Sequence, residues 1–296
     1  MADFPYLSSK VVELIILVIC RNLFRYFLVQ NWFIENGFVE TSASHVPLII
    51  HQFWHTQPAN FDLLRIFRPN AWNRSTATLI YYIKNLQAII ISFMLSVVVQ
   101  AGGESSRMGQ DKALIPFLGQ PLINRVLERL APIGDEILVT TNKAEDYRFL
   151  RLPLYNDILP GRGALGGLFT ALSVAGHPLV AVVACDMPFV HVGLLRLARD
   201  RLVNQELDAV IPETEGGMEP FHAVYRRETC LTAVKTALDS GKWRLISWLD
   251  DVKVATISPE EVRRYDPLQL AFFNVNSPED LQRAERLAKD LEHLTD

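Results

Sequence analysis

Cysteine is scarce. The chain has only Cys20, Cys185 and Cys230, and no C-x-x-C pair. An odd set without metal-type spacing excludes a disulfide framework and points to a reducing, cytoplasmic compartment. An excess of basic charge is also missing. Lys and Arg number 29 against 33 Asp and Glu, a formal net charge of −4, which argues against nucleic acid as a partner. A clean membrane span is lacking. Residues 11–29 are interrupted by Glu13, Arg21 and Arg25, and residues 78–99 by Lys84, Asn85 and Gln87. Neither stretch offers the roughly 20 apolar residues that a spanning helix needs. Residues 11–29 also read as a poor signal peptide, because Asp3 comes early and no small-residue cleavage site follows the apolar run. There is no internal repeat, no zinc-type ligand spacing, and no Ser/His/Asp arrangement singled out by its spacing.

Glycine is nearly absent from the first third. Residues 1–93 hold one of the 15 glycines, Gly37, yet nine of 16 phenylalanines and three of five tryptophans. They carry seven basic and five acidic residues, and the remainder 22 and 28, so the net charge is +2 before residue 94 and −6 after it. Aromatic richness excludes a linker or ordinary disorder, which is depleted in aromatics. We read residues 1–93 as an N-terminal extension, translated upstream sequence not stably packed on the rest. A membrane-surface arm and a small extra domain are the competing readings.

What is present is concentrated at residues 96–115, SVVVQAGGESSRMGQDKALI. Val97, Val98 and Val99 form a β-branched run suited to a buried strand. It breaks at Ala101, Gly102 and Gly103, where adjacent glycines allow close backbone approach and positive φ. Such a turn aims several N–H groups at one point and cradles an anion. Arg107 and Lys112 place fixed positive charge beside it, a combination suited to a nucleoside triphosphate. The Walker pattern fails, because Lys112 lies three residues after Gly109 and is followed by Ala113; G-x-G-x-x-G fails too.

Downstream, apolar runs alternate with helical periodicity. Strands are expected at Glu136–Thr140, Leu179–Ala184, residues 209–211, 221–225, 252–257 and 272–275, with a short extended piece at 152–155. Helices are expected at residues 121–130, 168–174, 192–202, 229–238 and 243–249. Residues 160–167, PGRGALGG, read as a second glycine-rich loop. Ser277-Pro278-Glu279-Asp280 carries a helix start signal, with serine as cap, proline first and an acid three residues on. Alternating strands and helices imply an α/β fold with a mostly parallel sheet flanked by helices. In such sheets ligands bind at the carboxyl ends of the strands. The groups at 101–112, Asn142, Asp186 and Asn276 are all expected there. Asp186, after six apolar residues and Cys185, is placed to hold a divalent cation, for which Mg²⁺ is the natural choice; a helix cap is the competing role.

The pattern A-G-G-x-S-x-R-M-G-x-D-K resembles the MobA-like nucleotidyltransferases, most closely the molybdenum cofactor guanylyltransferases, over residues 94–296. Met94 stands where a chain of that family is expected to begin. The resemblance implies a Rossmann-like fold of the nucleotide-diphospho-sugar transferase type. It implies transfer of GMP from GTP to molybdopterin, with Mg²⁺ as cofactor. Lys112 and Arg107 then steady the phosphates, and A-C-D-M-P makes Asp186 the metal ligand. Gln100, Ala101, Gly102, Gly103, Lys112, Asn142, Asp157 and Asp186 are the implied nucleotide contacts. Asn274 and Asn276, in an F-x-N-x-N segment, lie toward the pterin. The loop at 160–167 favours guanine over a cytidylyltransferase using CTP. A non-catalytic GTP- or cofactor-binding protein is the remaining alternative. Proteins that deliver molybdopterin or receive the product are implied partners, and a membrane is not. Glu219 to His222 departs from some members, and we assign it no role.

Overall fold

The computed structural model describes residues 91–102 and 111–293, which belong to one compact unit, Ile91–Asp296. The expectations placed on residues 1–90, Gly103 and Arg107 lie outside the described residues. In chain order the elements are β1 (Leu95–Gln100), β2 (Pro116–Phe117), β3 (Gln120–Pro121), α1 (Leu122–Leu130), β4 (Glu136–Thr140), β5 (Leu154–Tyr155), α2 (Gly163–Val174) and β6 (Leu179–Ala184). Then follow α3 (Val192–Asn204), β7 (Ala209–Thr214), β8 (Gly217–Met218), β9 (His222–Arg226), α4 (Arg227–Asp239), β10 (Val254–Ile257), α5 (Pro259–Tyr265) and α6 (Pro278–His293).

The main sheet runs β10-β7-β9-β6-β1-β4-β5, with β8 paired on β7. All pairs along it are parallel except those of β9, which lies antiparallel between β6 and β7. β1 is central. Val98 sits opposite Leu138 on one side and Val182 on the other. Every residue of β1 is buried, as expected of a parallel strand covered on both faces.

Period-two alternation sorts the side chains into two cores. Val97 and Val99 of β1 join Ala181 and Val183 of β6 and Val224 of β9 against α1, α3 and α5. Val98, Leu138, Val180 and Val182 face the other way, against Leu165, Leu168 and Leu172 of α2 and Val234 of α4. A smaller third core joins Phe117, Leu122, Phe189 and Val275 to Ala284 and Ala288 of α6. Each fully buried aliphatic side chain contributes roughly 1.5–3 kcal/mol relative to exposure. The three cores therefore clamp both faces of the sheet and tie the C-terminal helix to the loops at its carboxyl edge.

Several expectations are corrected. Residues 272–275 form no strand. They run as irregular chain, held by a bond from Val275 N to Asp186 O at 2.9 Å and by burial of Val275 in the third core. Three apolar residues in four suit a strand, but among the described residues no neighbouring strand offers them a ladder. The loop at 160–167 is shorter than expected, because α2 begins at Gly163. Gly161 and Gly163 take φ of +76° and +58°, and this turn, rather than a long loop, is what the glycines make possible. Residues 243–249 are turns ending in a 3-10 turn at Leu249–Asp251, with Trp248 buried in the second core. α5 was not anticipated, although Ser258-Pro259-Glu260-Glu261 repeats the start signal of α6. Its capping box is complete: Ser258 Oγ accepts from Glu261 N at 3.3 Å, and Ser258 N donates to Glu261 Oε2 at 3.2 Å. Among the described residues no helix is long and apolar enough to cross a membrane.

Candidate active site

A cleft of about 320 Å³ opens over the carboxyl ends of β1 and β6. Its lining includes Gln100, Ala101, Gly102, Lys112, Asp186 and Asn274. The sheet places the first group: Ala101 N donates to Thr140 O at 2.8 Å, and Cys185 N to Gln100 O at 3.1 Å. These bonds continue the parallel ladders one step past the strands, so the chain leaves β1 and β6 side by side. Gly102 has open space where a Cβ would stand.

Lys112 lines the same cleft. Asp111 Oδ1 accepts from Ala113 N at 3.2 Å and caps the short 3-10 turn Lys112–Leu114. Lys112 Nζ then lies 3.8 Å from Asp186 Oδ2 and donates to Asn276 Oδ1 at 2.6 Å. The two charged side chains are 24% and 19% exposed. Burial raises the carboxyl of Asp186 above its ordinary range; the Lys112 ammonium opposes this without cancelling it. Asp186 is thus a largely buried carboxyl at the cleft, paired with Lys112. An acid so placed is a donor that a hard cation can use. Among the described residues no group of three or more His, Cys, Asp or Glu could hold a metal ion by protein ligands alone. One carboxylate beside phosphate oxygens is instead the pattern suited to Mg²⁺.

Asn276 reaches Lys112 without strand geometry. α6 sets its position: Asp280 Oδ2 accepts from Asn276 N at 3.1 Å, and Ser277 Oγ from Asp280 N at 3.1 Å. The expected placement of Asn274 and Asn276 at a strand end is therefore replaced by a helix-capping arrangement. Asn274 lines the cleft, with its Nδ2 donating to Phe272 O at 3.1 Å.

Asn142 and Asp157 also come together, at a separate place. Asn142 Nδ2 donates to Asp157 Oδ2 at 2.8 Å, and Asp157 N to Asn142 Oδ1 at 2.9 Å. Neither side chain lines the cleft around Lys112 and Asp186. The pair pins the chain after β5 to the end of β4. Ile158 N then donates to Thr170 Oγ1 at 3.0 Å, joining the same segment to α2.

Sequence reasoning assigned no role to Asp111 or Glu219, both of which line the cleft. An acid directly before a helical turn is a capping signal that was available for Asp111. Glu219 had none, because it lies between β8 and β9, which both pair antiparallel with β7, and its N–H donates to Pro212 O at 2.9 Å. Burial raises the Glu219 carboxyl as well. Burial, then the Asp186 charge, holds the Cys185 thiol well above its ordinary value. His222 is a core histidine, accepting from His191 N at 3.0 Å through Nε2 and edge-on to Phe272.

A mostly parallel sheet with Gly102 at the end of its central strand, and a lysine facing an aspartate beyond the next strand, is the arrangement of a nucleotidyltransferase. Residues 97–252 match the MobA-like NTP transferase domain, and the chain belongs to that family. It is 33% identical over 193 residues to the molybdenum cofactor guanylyltransferase of Desulfosudis oleivorans, covering 65% of this chain and 95% of that one. It is 34% identical over 189 residues to a probable molybdenum cofactor guanylyltransferase of Carboxydothermus hydrogenoformans, covering 64% and 94%. Among solved structures, the crystal structure of molybdopterin-guanine dinucleotide biosynthesis protein A from Archaeoglobus fulgidus superposes with a TM-score of 0.58 at 28% identity, covering 66% of this chain and 99% of that one.

Proposed function

We propose that this protein transfers GMP from GTP to molybdopterin carrying molybdenum, forming the guanine dinucleotide cofactor and pyrophosphate. An oxygen of the pterin's terminal phosphate bonds to the α-phosphorus of GTP. The bond from that phosphorus to the pyrophosphate oxygen breaks, and its electron pair leaves with pyrophosphate. The observation that carries this reading is the approach of Lys112 Nζ to Asp186 Oδ2, 3.8 Å, at the mouth of the sheet.

Each group then has a role. The Lys112 ammonium neutralises charge on the phosphates as pyrophosphate departs, and Asn276 holds that ammonium in place. Arg107 adds a second cation, and the Gly102 and Gly103 backbone supports the phosphates. Asp186 would hold Mg²⁺, which would supply Lewis-acid charge to the transfer. Such transfers need positioning and charge stabilisation and little covalent chemistry from the protein. Asn142 and Asp157 shape the nucleotide end, and Asn274 faces the pterin end. The cytoplasmic setting expected from the cysteines, and protein partners that deliver the pterin or take up the product, belong to the same proposal.

The test is transfer by the purified chain with Mg²⁺, molybdopterin and either GTP or CTP, followed by pyrophosphate release and dinucleotide formation. Turnover with GTP is expected. Turnover with CTP alone would replace the base assignment. GTP binding without pyrophosphate release, with the pterin present, would replace catalysis by a binding role.

A further inference from the structure

Gln100 presents an unusual combination at the cleft. It lines the cavity, yet only 9% of the residue is exposed, and its Nε2 is buried without a hydrogen-bond partner among the described residues. Its main chain is already engaged: its carbonyl accepts from Cys185 N, and it is paired in register with Thr140 and Ala184. The side chain is therefore where its unspent hydrogen-bonding capacity lies. An unpaired buried donor costs roughly 1–3 kcal/mol, and such groups in a folded protein ask for an explanation.

Alternation along β1 turns Gln100 to the face of Val98, the face covered by α2. There a Cβ on Gly167 would come within 3.2 Å of Gln100 Oε1 and 3.4 Å of Nε2. The absence of a side chain at 167 leaves room for the carboxamide head. The floor of the cleft thus carries an amide held between the central strand and the second glycine segment. The terminal torsion of glutamine is broad, so the amide turns at small cost to meet a ligand.

We propose that the Gln100 carboxamide is a specificity-determining group that donates from Nε2 to the O6/N7 acceptor edge of guanine in the bound nucleotide. This deepens the transferase reading above and rests on it. The unpaired donor is the cost in the empty protein, and the base supplies the missing acceptor.

The experiment compares the full-length chain with Gln100→Met, which keeps length and removes the amide. GTP, 7-deaza-GTP (no N7) and 2-aminopurine riboside triphosphate (no O6) are each assayed for transfer and titrated for binding. In the unaltered chain at least one analogue should be about tenfold poorer than GTP, and in Gln100→Met that difference should collapse. Without nucleotide, Gln100→Met should unfold at the same temperature or higher, because a buried unpaired donor has gone. Analogue discrimination that survives in Gln100→Met would overturn the proposal. So would a lowered unfolding temperature with unchanged discrimination, which would make the amide a structural group. Failure of the unaltered chain to transfer any nucleotide is a different result: it sinks the transferase reading, while the binding titrations still decide the role of Gln100.

Discussion

Two polar clusters stand at the carboxyl edge of this sheet, and they are finished to different degrees. Asn142 and Asp157 are satisfied by each other, through two bonds of 2.8 and 2.9 Å. Lys112 and Asp186 form a looser ion pair at 3.8 Å, Lys112 also donating to Asn276 at 2.6 Å, and burial still raises the aspartate's carboxyl. The first cluster spends its hydrogen bonds on shape. The second sets two opposite charges at the wall of an open cleft, which a triphosphate and its cation can use. Closeness of polar residues does not by itself identify chemistry; charged groups lining an open cleft are the stronger signal.

The sharpest way to break this comparison is to remove the two charges at the cleft. Lys112→Met and Asp186→Asn should each lower kcat for GMP transfer by about 10²–10³-fold. Asp186→Asn should leave the unfolding temperature unchanged or raised, since it removes a desolvated charge. If instead Asn142→Ala were the variant that abolished turnover, the division between shape and charge would be wrong. The raised Asp186 carboxyl also predicts an acid limb of the rate profile above the ordinary carboxylate range. Protons and cation compete for that group, so added Mg²⁺ should move the limb to lower pH, read from rates at several Mg²⁺ concentrations.

Asn276→Ala tests the support of the lysine. Without its 2.6 Å acceptor, the ammonium loses a fixed position, and kcat should fall by about tenfold with little change in stability. On the satisfied side, Asn142→Ala should raise KM for GTP by about tenfold with kcat nearly kept. It should also cost about 1 kcal/mol in a denaturant titration.

The smallest effect on turnover is expected outside both clusters. Burial lowers the His222 pKa to about 4. The unfolded chain then takes up a proton at a pH where the folded one refuses it. Stability present above about pH 6.5 is therefore lost as pH falls toward 4, by roughly 3 kcal/mol for this group. The carboxyls of Asp186 and Glu219, raised by burial, act with the opposite sign. His222→Gln should flatten the decline measured by denaturant titration between pH 6.5 and 4, and leave the rate of GMP transfer near neutrality unchanged.

The legible parts of the fold were those with a single local cause. β4 and β6 fall on Glu136–Thr140 and Leu179–Ala184 as read, because an unbroken apolar run between polar turns has few other homes. α6 was legible from its cap. The segment at 272–275 misled because a strand needs a partner, and its place is set by Asp186 O and by the third core. Residues 160–167 misled in the other direction: glycine lowers helix propensity, yet packing of Leu165 and Leu168 into the second core starts α2 at Gly163. For the site, Lys112 and Asp186 were paired in advance because each follows a strand expected at the middle of the sheet. Glu219 was not, and neither was the mutual pairing of Asn142 with Asp157.

Read alone, the chain determined an alternating α/β plan, the two central strands and which charged groups leave their carboxyl ends. These follow from period-two burial and turn chemistry, which act over a few residues. Only the tertiary structure decided how β9 enters antiparallel and delivers Glu219, how α6 carries Asn276 to Lys112, and that the Gln100 amide, beside Gly167, has no partner for its Nε2 among the described residues. Those outcomes depend on contacts between segments tens of residues apart, and no local pattern encodes the distance between them.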